Sequence, residues 1–110
     1  MGMAASQARY NALTARKSEL ELEGQFTNQA RLNLANITGN LFNTATRLDP
    51  NSDQALRIQA RINSIASLDK ALELQLRNLD TQRQAISTEL DAMAKVIGKN
   101  IDRNFKDLFA

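Results

Sequence analysis

The chain has no cysteine, no histidine and no tryptophan, and its 110 residues include one proline and four glycines. Without Cys or His there can be no disulfide, no thiolate or imidazole metal site, no cysteine nucleophile and no imidazole acid or base. Most enzyme mechanisms thereby lose their usual actors. The missing cysteines suit a reducing cytosol and an exported protein that must not cross-link, so they do not fix the compartment. No run approaches the roughly 20 apolar residues that span a bilayer, and the N-terminus lacks the apolar core of a Sec-type signal peptide. Any export is expected to use another route. The balance of charge is +2, with fourteen basic residues spread along both halves, and nothing in that pattern predicts nucleic-acid binding. There is no phosphate-cradling Gly loop and no nucleophile elbow. Asp49, Asn51 and Asp53 match the first three ligand positions of an EF-hand, but the sixth position is Gln54 rather than Gly and the twelfth is Ala60 rather than Glu. The expectation is a chain with no catalytic activity, no cofactor and no metal.

What is present is helix. Few Gly, one Pro and many Ala, Leu, Gln, Arg and Glu bound the class to all-α. Between Asp53 and Leu108 a stripe at alternating steps of four and three reads Ile58, Ile62, Ile65, Asp69, Leu72, Leu76, Leu79, Arg83, Ile86, Leu90, Met93 and Ile97. Only Asp69 and Arg83 break its apolar character. A repeat of about 3.5 residues over about five heptads marks a helix lying along another with a left-handed supercoil. At about 1.5 Å per residue this element is on the order of 80 Å long, a rod rather than a globule.

The earlier half reads as a second long helix. Leu20, Leu22, Phe26, Ala30, Leu34, Ile37, Leu41, Ala45 and Leu48 recur at helical spacing, with Leu32 and Phe42 outside that set. Its apolar surface is wider than one partner helix can cover. Gly24 and Gly39 each cost about 1 kcal/mol against Ala and mark possible bends. Residues 1–18 form a weakly driven arm, with Ala4, Ala8, Ala12 and Ala15 on one side and Met3, Tyr10 and Leu13 on another. Its opening Met1-Gly2-Met3-Ala4-Ala5-Ser6 fits the N-myristoylation pattern, for which chance is the simpler reading. Glu19, Glu21 and Glu23 read as a solvated acidic face. Eleven Asn and eight Gln, unusual in helices, hint at polar packing between subunits.

The break between the helices is Leu48-Asp49-Pro50-Asn51-Ser52-Asp53. Pro50 suits the first turn of a helix and Asp49 can cap its free N–H groups. So short a connection makes the helices antiparallel neighbours. The expected fold is one domain over 1–110, a long antiparallel two-helix hairpin with helices at about 3–47 and 50–107, completed by oligomerisation. The second arm should overhang the first by roughly 15 to 20 Å at about 1.5 Å per residue. On its stripe, Asp69 and Arg83 either pair locally and snorkel, or set register against another chain. Leu68 and Leu74 lie off the stripe and imply a second contact surface, as do Leu22 and Phe26. In the tail, 98–110, the apolar positions become Ile97, Ile101, Phe105 and Leu108, with Phe109 beside them. A change of face is a change of partner, and an apolar terminus of this kind reads as an assembly contact.

The run Asp49-Pro50-Asn51-Ser52-Asp53-Gln54-Ala55-Leu56, followed by Gln59 and Ile62, resembles the turn of type III secretion needle subunits, which are small helical hairpins. Ile97-Gly98-Lys99-Asn100-Ile101-Asp102-Arg103-Asn104-Phe105 is similar in kind to the amphipathic end of their second helix. This chain is longer than that family and has Asp53 where a second Pro is usual. The resemblance implies export without a cleaved signal and helical polymerisation, with Asp49 to Asp53 facing outward and the tail inward. Two function classes follow: a self-assembling structural subunit, with itself as partner, or a cytoplasmic coiled-coil adaptor or secretion chaperone that binds a client helix. A peripheral membrane role, through the basic arm and an acyl group, is disfavoured by the absence of a Lys/Arg cluster.

Overall fold

A computed structural model describes residues 2–109; Met1, Ala110 and the side chain of Phe109 lie outside the description. The protein is an all-α helical hairpin, with α1 at Met3–Ala45 and α2 at Asp53–Phe109. Helical assignment runs unbroken through Gly24 and Gly39 in α1 and through Gly98 in α2.

The turn corrects the expected capping. Arg47 and Leu48 each donate a backbone N–H three residues back, to Thr44 and Ala45 at 3.1 Å, the tightening usual where a helix runs out of partners. Asp49 precedes a proline, which disfavours helical backbone there, so α1 cannot continue. The Asp49 carboxylate accepts the Asn51 N–H at 3.0 Å, and its carbonyl accepts the Ser52 N–H at 2.9 Å and the Ser52 hydroxyl proton at 2.7 Å. Pro50 is therefore the second residue of a tight turn, where its fixed φ is useful, and is not the first residue of α2. Ser52 caps α2 instead, its Oγ accepting the Ala55 N–H at 3.2 Å. The second helix begins three residues later than Pro50 because Asp49 is occupied within the turn.

The hairpin packs as two compact units, Met1–Glu23 with Leu79–Ala110, and Gly24–Asn78. In the first, Met3, Ser6, Tyr10, Leu13, Lys17 and Leu20 are buried or half-buried from α1, as are Leu79, Arg83, Ile86, Leu90, Met93 and Ile97 from α2. Ser6 is 0% and Leu20 2% exposed. Ala4, Ala8, Ala12 and Ala15 face solvent. An Arg9–Glu89 ion pair and a 3.5 Å bond from Arg16 to Gln82 join the two segments along one flank. The acidic residues are exposed, and Arg16 reaches Glu19 at 3.1 Å and Glu23 at 4.0 Å.

In the second unit the α2 stripe, Ile58 through Leu76, is again buried or half-buried, and from α1 so are Gly24, Thr27, Arg31, Leu34, Thr38, Leu41 and Ala45. Both units show one rule. The face of α1 that meets α2 steps by three and four, and one of its two rows reads Met3, Tyr10, Lys17, Gly24, Arg31, Thr38, Ala45. That row is largely polar or small, so large apolar residues on α1 are left outside: Leu22, Phe26, Leu32, Ile37 and Phe42 are all exposed. The buried apolar core of the described residues is Leu20, Ile62, Leu79 and Met93. At about 1.5–3 kcal/mol for each fully buried side chain, so thin a core leaves little margin over the entropy of ordering two long helices.

Two substitutions test this account by chemical denaturation. Gly39 is exposed, with nothing within 4 Å of an added Cβ, so Gly39→Ala should stabilise the hairpin by about 0.5–1 kcal/mol. Ser52→Ala should destabilise it by about 1 kcal/mol through loss of the cap.

Candidate interaction surface

The charged residues on the α2 stripe are paired within the chain. Asp69 receives two bonds from Arg31 of α1, Nε at 2.8 Å and Nη2 at 3.2 Å, a two-pronged contact between side chains 37% and 32% exposed. The hydrogen bond from Arg31 holds the Asp69 carboxyl below its ordinary value of 3.8, against the opposing effect of desolvation, and Asp69 raises the Arg31 pKa in return. Arg83 donates to Asp80 one turn before it at 2.8 Å, which raises its pKa. Asp69 thus fixes the register of α2 against α1, whereas Arg83 is satisfied on its own helix.

On one flank of this unit the seam is open. Asn28, Leu32 and Ala35 of α1 and Ile62, Ala66 and Asp69 of α2 border a groove of about 620 Å³. It exists because two small residues, Ala35 and Ala66, occupy positions beside the seam on facing helices, leaving Ile62, Ile65 and Leu34 as its floor. Arg31 and Asp69 close one end. By register Lys70 lies one turn beyond Ala66 on the same flank of α2, and its side chain makes no hydrogen bond or ion pair with any described residue. Phe26 (67% exposed) and Leu68, both exposed, belong by register to the flank opposite the groove, and Leu74 points away from the seam. In the other unit Leu22 likewise points away from its partner helix.

The tail of α2 is the second exposed surface. The seam positions after Ile97 are Asn100, Asn104 and Asp107, so the stripe that faced α1 turns polar. The apolar residues step round by one position, about 100°, to Ile101, Phe105 and Leu108. These are 53%, 64% and 78% exposed, and every residue from 101 to 108 is exposed. With 57 residues in α2 against 43 in α1, the tail lies in the excess length. Phe109 closes the helix, but its side chain lies outside the described residues.

The turn residues Asp49, Pro50, Asn51 and Asp53 are exposed and Ser52 half-buried. Among the described residues no cluster of acids could hold a metal ion, and no helix is long and apolar enough to cross a membrane. Sequence reasoning did not single out Arg31, Ala35, Ala66 or Lys70. One signal was available for Arg31: it and Asp69 are equidistant from Pro50 along an antiparallel hairpin.

Compared with protein-family models, curated proteins and solved structures, the chain matches none.

Because the folded-state pKa of Asp69 is depressed, the folded chain binds fewer protons than the unfolded chain in the acid range, and stability rises with pH there. The contribution of the Arg31 pair is present above the ordinary carboxylate value and lost as pH falls through the lowered one. Thermal melts should show Asp69→Asn less stable than the native chain at pH 7, with the difference shrinking below about pH 4. A difference independent of pH would remove the ionic contribution.

Proposed function

We propose that this chain is a structural subunit that assembles with copies of itself through its long helices. The observation that carries this reading is the tail, where the apolar stripe leaves the α1-facing side of α2 and remains exposed at Ile101, Phe105 and Leu108. A helix that needed only its hairpin partner would keep its apolar residues on the seam. The thin core supports the same reading, since association contributes stability that the monomer lacks. The resemblance of the turn and tail to type III secretion needle subunits gives the proposal a specific form: an exported, filament-forming component.

A second reading is favoured by the open groove. A hairpin with small residues flanking an apolar seam suits capture of a helix from another protein, as an adaptor or secretion chaperone would do in the cytoplasm.

Light scattering after size exclusion, over a concentration series, separates the two. The structural subunit should form filaments or large oligomers that disappear when the chain is ended at Val96. A small species of constant mass, indifferent to that truncation, would overturn self-assembly and leave the adaptor.

A further inference from the structure

Resting on self-assembly, we infer that the Ala35/Ala66 groove of one copy receives the Ile101–Leu108 segment of a second copy, antiparallel to the α2 segment that forms the groove. The two surfaces are complementary in kind. A helix docks into a groove through residues at i, i+4 and i+7, which is the spacing of Ile101, Phe105 and Leu108. The groove offers a matching row on α1, Asn28, Leu32 and Ala35, with Ala66 facing across from α2. Close approach of a third helix requires small residues where its largest side chain lands, and Ala35 with Ala66 accommodates Phe105.

Charge selects the occupant and its direction. With Phe105 over Ala66 and the tail antiparallel to α2, Asp102 falls beside Lys70, four residues beyond Ala66 on the same flank of α2. In this direction the side of the tail that carries Asp102 faces α2; in the parallel direction it faces α1, where the cation that lines the groove, Arg31, is already held by Asp69. Neither the Lys70 nor the Asp102 side chain makes an ion pair or hydrogen bond with any described residue of its own chain. Arg103 and Lys106 then point outward to solvent. Tail and groove are different surfaces, so the contact is head-to-tail: each copy gives one tail and accepts another, and repetition yields an open chain or, if the rotation closes, a ring.

The test is a mixing experiment with two full-length variants, read by sedimentation velocity. Ala66→Glu blocks the groove and leaves the tail; Ile101→Ser with Leu108→Ser blocks the tail and leaves the groove. Both changes are at exposed positions, and circular dichroism confirms that each variant keeps the native helicity. Each variant alone should remain monomeric where the native chain assembles, and an equimolar mixture should give a species of two chains and nothing larger. Assembly by the native chain with no two-chain species in the mixture overturns the groove as acceptor while self-assembly stands. A native chain that stays monomeric at every concentration overturns both. Direction is read separately: Lys70→Glu should weaken assembly about threefold, and combining it with Asp102→Lys should restore it. Failure of the double reversal to restore assembly contradicts the antiparallel placement.

Discussion

Two helices joined by a short turn can shield only one stripe of each, and everything else in this protein follows from how unequally those stripes are composed. The α2 stripe is apolar at ten of the positions from Ile58 to Ile97 and charged at Asp69 and Arg83. One of the two facing rows of α1 carries Lys17, Gly24, Arg31 and Thr38, and the other Leu13, Leu20, Leu34 and Leu41. A strongly apolar stripe is therefore matched to a mixed one. The pairing leaves little buried carbon per residue, and the larger apolar side chains of α1 are displaced to the outside.

Polar seam residues make the pairing specific where apolar contact makes it only favourable. A seam of repeating aliphatic residues tolerates slippage by a heptad, because Leu meets Ile in either register. Arg31 and Asp69 tolerate none, since a slip leaves a half-buried carboxylate without its guanidinium. In the other unit the exposed Arg9–Glu89 pair contributes less, as surface pairs do. The seam stops at Ile97: beyond it the α1-facing positions turn to Asn and Asp, and the apolar residues move to a new face. Ala35 and Ala66, small residues beside the seam, leave a groove open on one flank.

Much of this was legible in the sequence. The α2 stripe from Ile58 to Ile97 is buried or half-buried at every position, because its periodicity is regular and apolar. The turn was legible from Pro50, and the shift of the tail from its change of period. The α1 seam was legible only in part: Leu20, Leu34, Leu41 and Ala45 of its apolar series are buried or half-buried while Leu22, Phe26 and Ile37 are exposed, and hydrophobic periodicity cannot find the row occupied by Lys17, Gly24, Arg31 and Thr38, which is defined by α2. The cap was misassigned for a related reason. Asp49 and Ser52 are both good cap residues, and the choice between them depends on which is already bonded inside the turn. The groove depends on Ala35 and Ala66, two unremarkable alanines until the hairpin sets them opposite each other.

Hydrogen exchange measured residue by residue at low and high protein concentration tests the central claim most directly. In dilute protein the amides from Ile58 to Ile97 should be protected and those from Ile101 to Leu108 should exchange quickly. On concentration, protection should appear in the tail and increase around Ala35 and Ala66 together. A tail already protected in dilute protein, or one gaining protection while the groove does not change, would contradict the account.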